Sequence, residues 1–191
     1  CALPIYRAYS IASPPSDDGY VDLIIRLVPD GICTTYVHTA LKEGDDVKIS
    51  GPYGDFYLRG EQKDLVMIAG GSGLAPIRSL VFDILEKKLD YNMTFFFGAV
   101  TKKDLYYLDE LGTLSEQNPN FKFVPALSKP APEDNWTGEV GLITEVVDRY
   151  VKQDHPQEAY LCGSPGMINA CINVLTKKNI PENKIFYDKF S

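Results

Sequence analysis

From residue 64 onward, apolar runs alternate with amphipathic stretches at spacings that predict strands and helices in turn. Leu65-Val66-Met67-Ile68-Ala69 and Met93-Thr94-Phe95-Phe96-Phe97-Gly98-Ala99 are apolar at odd and even positions alike, as strands buried on both faces of a parallel sheet are. Strands are expected at 65–69, 93–99, 121–127, 159–162 and 184–187, with helices at 75–89, 104–117, 142–152 and 165–178. Residues 63–191 therefore read as a five-stranded, parallel, doubly wound α/β domain. Upstream the rhythm shortens. Residues 5–12, 20–28, 47–50 and 55–58 are short β-prone runs bounded by Pro, Gly and Asp, interrupted by one helix expected at 34–41. Residues 1–62 form a separate β unit in this reading, and the boundary falls at 61–64. Residues 128–133, Ser-Lys-Pro-Ala-Pro-Glu, are a loop broken by proline.

Composition narrows the function classes. The 191 residues are 45% hydrophobic, enough to bury a substantial core. A net charge of −7 with no basic stripe argues against binding a nucleic-acid backbone and suits docking to a basic partner. The four cysteines, Cys1, Cys33, Cys162 and Cys171, form no C-x-x-C pair and have no histidine cluster beside them. Neither a metal site nor a disulfide framework is expected, and a reducing cytoplasm fits. No signal peptide and no membrane-spanning apolar stretch is apparent. The chain opens inside an apolar run, Cys1-Ala2-Leu3-Pro4-Ile5, without an initiator methionine, and is expected to be a piece of a longer protein.

Gly70-Gly71-Ser72-Gly73-Leu74-Ala75-Pro76 joins the first parallel strand to its helix, where backbone N–H groups and the positive helix end converge. A pyrophosphate would settle there. The full G-x-G-x-x-G fingerprint is absent because Pro76 stands at the third glycine, and no acid ends the second strand at Val100-Thr101 to hold a ribose. The same glycines would also serve a tight strand-to-helix turn alone. Cys162-Gly163-Ser164-Pro165 repeats the geometry at the fourth strand, with Ser164 as N-cap and Pro165 at the first helical position. Cys162 would then lie at a carboxyl strand end, where open α/β sheets bind ligands, or serve as buried packing. Arg7 offers a fork that matches phosphate, and Tyr9 a ring for a flat heterocycle; a strand-edge arginine and a half-buried tyrosine is the plainer alternative. Gly31-Ile32-Cys33-Thr34-Thr35-Tyr36 is a turn into a helix, with hydroxyls able to cap it or to bind phosphate. His38 and His155 have no partner at catalytic spacing and read as structural.

In order, R-x-Y-S (Arg7, Tyr9, Ser10), G-x-x-T-T-Y (Gly31 to Tyr36), G-P-Y-G-D-F (Gly51 to Phe56), G-G-S-G-x-A-P (Gly70 to Pro76), C-G-S-P-x-M (Cys162 to Met167) and the aromatic terminus Tyr187-Asp188-Lys189-Phe190 resemble the ferredoxin-NADP reductase superfamily. Within it, Phe97-Gly98-Ala99, Asp104 to Tyr107 and Glu133 to Gly138 are most similar to the F subunits of sodium-translocating NADH:quinone reductases. Reductase components of multicomponent monooxygenases are close behind.

The resemblance implies an incomplete antiparallel flavin-binding β-barrel in residues 1–62, with its earlier strands upstream of Cys1. A NAD(P)H-binding domain in residues 63–191 follows it. It also implies FAD and NADH as cofactors, with NADPH the alternative through Lys129, Lys102 or Lys103. Arg7 and Ile32, Cys33 and Thr34 would hold the FAD pyrophosphate, Tyr9 would pack on the isoalloxazine, and Ser10 would face its N5 edge. Phe190 would cover the other flavin face. Gly71, Ser72 and Gly73 would cradle the coenzyme, with Cys162 and Gly163 beside the nicotinamide. Ser10, Cys162 and Phe190 are the catalytic candidates. The implied reaction is hydride transfer from NADH to FAD, then release of single electrons to an iron–sulfur acceptor, as in a quinone reductase, an oxygenase complex or a ferredoxin. The four thiolates of a 2Fe–2S cluster are not available in this chain, so any such cluster belongs upstream or on a partner. A nucleotide-binding subunit that turns over nothing alone is the alternative of a different class. Contact with a membrane is expected only through a complex.

Overall fold

Alternate residues of the first parallel strand face opposite cores, and that places everything else. The computed structural model describes residues 5–190. Strand β1 (Asp64–Gly70) sends Leu65, Met67 and Ala69 to one side, where they pack with Leu74, Ile77 and Val81. Val66 and Ile68 go to the other side, against Val146, Val147, Ile168 and Cys171. The remaining strands are β2 (Asn92–Ala99), β3 (Phe121–Leu127), β4 (Glu139–Val140), β5 (Gln157–Gly163) and β6 (Ile185–Lys189). They form one six-stranded sheet in the order β4-β3-β2-β1-β5-β6, and every pair is parallel.

Helices α2 (Leu74–Glu86) and α3 (Leu108–Gln117) carry apolar side chains into the first core, and α4 (Ile143–Tyr150) and α5 (Pro165–Lys177) into the second. The right-handed connections of a doubly wound sheet require this two-sided covering. The register lines up Gly70 with Gly98, Ala69 with Cys162, and Cys162 with Asp188, so the carboxyl ends of β1, β5 and β6 meet at one edge. Among the described residues no helix is long and apolar enough to cross a membrane.

The structure departs from the sequence pattern in three places. The expected five strands are six, because Glu139 and Val140 pair with Ala126 and Leu127 in a strand too short to show alternation. The helix expected over 104–117 begins only at Leu108. Asp104 closes a single turn by accepting from the Thr101 N–H and hydroxyl, Leu105 is extended, and Tyr107 is left-handed at φ 59°.

In residues 5–63 the four β-prone runs form no ladder among the described residues. Helix α1 (Ile32–Thr39) is there, two residues ahead of its expected start. The first two runs touch at one antiparallel bridge, Ile11 to Leu23, supported by the Ala12 N–H on the Asp22 carbonyl at 2.8 Å. A strand exists through its neighbours' hydrogen bonds, and these runs have only the one bridge among the described residues. Many of their apolar side chains are accordingly uncovered, Tyr6 to 64% and Ile49 to 63%. Ile24, Phe56 and Leu58 nevertheless pack on the α2/α3 side of the sheet, which seats this first unit against the second.

Candidate functional site

The glycine-rich turn after β1 and the turn after β5 lie against each other. Gly71 to Gly73 make one 3-10 turn before α2, with no side-chain cap on its amides. Gly71 is left-handed at φ 56°. Gly73 has ordinary helical torsions, and a different constraint applies: a methyl there would lie 2.2 Å from the Cys162 carbonyl oxygen and 2.8 Å from the Gly163 nitrogen. At the second turn, Ser164 caps α5 by accepting from the Met167 N–H at 3.4 Å, with Pro165 at the first helical position as the sequence predicts.

Cys162 is fully buried at the end of β5. Burial, and then the neighbouring Asp188 carboxylate, pushes its thiol far above the ordinary range, opposed weakly by the Gly163 N–H. Asp188 stands opposite Cys162 in the β5–β6 register, and Ser10 donates its hydroxyl to Asp188 Oδ2 at 3.5 Å. Phe190 follows β6, donates its N–H to the Gly163 carbonyl at 2.9 Å, and packs half-buried on the first core. Ser10, Cys162, Gly163 and Phe190 thus meet with Gly73 at one seam.

The other sequence candidates gather beside it. Burial, then the nearby Cys33 thiol, raises the Tyr9 phenol above its usual value, and Arg7 opposes that shift. These three side chains therefore share one neighbourhood. Arg7 is exposed and places Nη1 on the Tyr6 carbonyl at 2.8 Å, leaving most of its fork toward solvent. Helix α1 has no side-chain cap, so the N–H groups of Ile32, Cys33 and Thr34 are open to an acceptor. The Thr34 hydroxyl is not free in the same way. It accepts from the Val28 N–H at 3.1 Å and lies 3.2 Å from the Gly31 carbonyl oxygen, holding the turn that launches the helix. Ser72 is half-buried within its turn.

Two residues of this seam escaped the motif reading. Asp188 is the single acid in β6, and only the β5–β6 register sets it opposite Cys162. Arg26 belongs to the first unit, yet its guanidinium comes within 3.7 Å of the position a Gly71 methyl would take. Burial raises the phenol of Tyr106 to about 12 against the opposing pull of Arg26, and the Tyr106 oxygen is buried without a hydrogen-bond partner among the described residues. No local sequence signal marks Arg26. The histidines lie apart: His38 contacts the Ile25 carbonyl at 2.9 Å, and His155 pairs with Asp64 at the opposite, amino end of the strands.

The arrangement fits two phosphate-bearing, planar ligands. Helix α1 and the Gly71–Gly73 turn both lack side-chain caps; Arg26 lies over the second, which Cys162 and Phe190 adjoin through Gly73 and Gly163, while Tyr9 lies near Cys33 and Arg7.

Comparison with known proteins agrees with this. The chain matches the oxidoreductase FAD-binding domain over residues 3–57 and the oxidoreductase NAD-binding domain over residues 67–172. It is 39% identical to the F subunit of the Na(+)-translocating NADH-quinone reductase of Methylococcus capsulatus, over 98% of this chain and 49% of that protein. It is 41% identical to the phenol hydroxylase P5 protein of Acinetobacter pittii, over 96% of this chain and 53% of that protein. The cytochrome P450 reductase GcoB of Amycolatopsis superposes with a TM-score of 0.86 at 29% identity, over 95% of this chain and 55% of that one. The chain spans about half the length of these relatives. It belongs to the ferredoxin-reductase-like family of FAD- and NAD-binding oxidoreductases.

Proposed function

We propose that this chain is the reductase portion of an electron-transfer flavoprotein, passing hydride from NADH to FAD and then single electrons to an iron–sulfur centre. The observation that carries the reading is the seam, where Ser10 from the first unit reaches Asp188 opposite Cys162 and Phe190 ties back to Gly163. Residues 1–62 serve as the flavin unit and residues 63–191 as the nucleotide unit.

The bound cofactors supply the redox chemistry; the chain supplies orientation, electrostatics and exclusion of water. Arg7 and the open amides of Ile32, Cys33 and Thr34 would hold the FAD pyrophosphate, since an uncapped helix end and a guanidinium both favour phosphate oxygens. Tyr9 packs on the isoalloxazine and Ser10 faces its reactive edge. Gly71, Ser72 and Gly73 cradle the coenzyme pyrophosphate, with Arg26 above them. Cys162, held neutral by burial, positions the nicotinamide beside Gly163 and does not act as a nucleophile. Phe190, held by its N–H on the Gly163 carbonyl, would cover the remaining flavin face and give way to the nicotinamide.

The acceptor is a quinone-reductase or an oxygenase partner. The similarity to a phenol hydroxylase P5 protein supports the second alternative, and that to a quinone-reductase F subunit the first. A reducing cytoplasm suits Cys33, Cys162 and Cys171, which are all free thiols. The test is direct: purify the full-length protein, record its visible spectrum, and assay ferricyanide reduction with NADH and with NADPH. Yellow protein with NADH-dependent turnover supports the reading. Protein that stays colourless after incubation with FAD, and turns over neither coenzyme, refutes it.

A further inference from the structure

Arg78 sits where no charge belongs. On α2, Leu74, Ile77, Arg78 and Val81 share one buried stripe, and Arg78 is 9% exposed between the Phe82 and Tyr107 rings, 4.2 and 5.0 Å from its guanidinium carbon. A charge so placed needs fixed partners. Nε and Nη2 donate to the two carboxylate oxygens of Glu110 on α3 at 3.3 and 3.1 Å. That fork leaves Nη1 aimed at a carbonyl of the other unit, Ala12, at 3.0 Å. One residue on, the Ser79 hydroxyl donates to the Ser13 carbonyl at 2.8 Å. Ala12 and Ser13 are almost wholly buried, and the Ser13 hydroxyl accepts the Asp22 N–H at 3.1 Å, so the pinned segment is itself braced.

The geometry points to Arg78 as a positioning residue that sets the distance between the flavin strand and the nucleotide turn. This rests on the function proposed above. Ala12 stands two residues beyond Ser10 and three beyond Tyr9, next to the bridge of Ile11 to Leu23, and Arg78 stands five residues beyond Gly73 along α2. A helix and a short segment tied to its neighbour by the Ile11–Leu23 bridge transmit position over so few residues, so the Arg78–Ala12 bond fixes the separation of the groups at their far ends. Glu110 holds the fork, and neither side chain touches either ligand's turn.

The test uses the full-length protein carrying FAD, with Arg78→Lys and Glu110→Gln compared with wild type. Both variants should lower the limiting rate of flavin reduction by NADH about ten-fold or more, since misplacement of reacting groups by a fraction of an ångström is costly. Retained FAD and the NADH concentration giving half the limiting rate should stay within about two-fold, because no ligand contact is lost. In the flavin-free protein, amide hydrogen exchange should rise over residues 10–23 of both variants, while β1 and β5 keep wild-type protection.

Unchanged limiting rates overturn the inference. So do wild-type exchange over residues 10–23, or a rate loss matched by an equal loss of FAD. Where Arg78→Lys does not fold, Ser79→Ala decides, with the same split expected at about two- to three-fold and an unchanged rate refuting it. Wild-type protein that holds no reducible flavin sinks the functional reading and this inference together; reducible wild type with indifferent variants sinks the inference alone.

Discussion

Gly73→Ala separates what the glycine-rich turn does for the fold from what it offers a ligand. The torsions at Gly73, φ −61° and ψ −10°, suit alanine, so no backbone strain is introduced. The added methyl instead lands 2.2 Å from the Cys162 carbonyl oxygen and 2.4 Å from its carbon. Both are main-chain atoms of a central strand, and no rotamer can clear them. Restoring ordinary contact needs the two turns to part by more than about 1 Å. Forced overpacking of this kind costs about 3 kcal/mol, which in a chain of this size lowers the melting temperature by about 6–12 °C.

Gly71→Ala is the control. There the methyl meets only Arg26 Nη1 at 3.7 Å, and the left-handed φ of 56° costs about 1–2 kcal/mol. Thermal unfolding of the full-length protein followed by circular dichroism reads both variants. Because the same shift moves Cys162 relative to the turn, Gly73→Ala should also slow flavin reduction by about 100-fold. A Gly73→Ala protein that melts within about 2 °C of wild type, or no lower than Gly71→Ala, refutes the contact between the turns.

Other expectations concern the linker, titration, thiols and terminus. The Tyr160 hydroxyl accepts the Arg59 N–H at 2.8 Å and donates to the buried Glu158 at 2.8 Å, so Tyr160→Phe should cost about 1–3 kcal/mol in a urea titration; an unchanged midpoint contradicts this. Burial alone would raise the Asp64 carboxyl, but hydrogen bonds from Asn92 and His155 outweigh it and hold it below 3.8. A depressed folded value stabilises above the unfolded one and is lost as pH falls through the folded one, so wild type should exceed Asp64→Asn at pH 6 and converge with it in strong acid. Equal midpoints at pH 6 would exclude the effect. Iodoacetamide at pH 8 should label half-exposed Cys33 in the native protein and spare buried Cys162 and Cys171, as peptide mass mapping will show; early labelling of Cys162 would place it in solvent. Cys162→Ala should slow flavin reduction with FAD retained, and wild-type stopped-flow traces would remove its positioning role. Deleting Phe190 and Ser191 should change the affinity for NADH or NADPH, and identical steady-state constants before and after would exclude a gate.

The central sheet was legible because its strands are buried on both faces: continuous runs such as Phe95-Phe96-Phe97 have no polar alternative. Helix α5 was legible at its start because Ser164-Pro165 is local chemistry, a cap and a fixed torsion. What failed depends on partners distant in sequence. The two-residue β4 exists only through β3, the delayed start of α3 through the Thr101–Asp104 cap, and the runs before residue 60 would need neighbouring edges to become strands. The site divides in the same manner. Motifs put forward Tyr9, Gly71, Cys162 and Phe190 as candidates, whereas Asp188, Arg26 and Arg78 come into view only through what tertiary packing sets beside them. Arg78 alone left a trace, a charge on an otherwise apolar helical stripe.

The contacts at the seam close a circuit, and that decides which part can move. Gly73 abuts the Cys162 backbone, Cys162 faces Asp188, and Asp188 accepts from Ser10. Ala12, two residues on, accepts from Arg78, and α2 leads from Arg78 back to Gly73. A second attachment, Glu158 and Tyr160 holding the backbone of Glu61 and Arg59, fixes the linker independently. Opening the units to admit a nicotinamide would break several buried polar bonds at once, each leaving groups away from water. Among the described residues Phe190 makes one backbone bond, to Gly163, and packs half-buried on the first core. Displacing one aromatic ring costs less than parting two units. On the proposed function, Phe190 is the group expected to yield to the coenzyme while the two units keep their spacing.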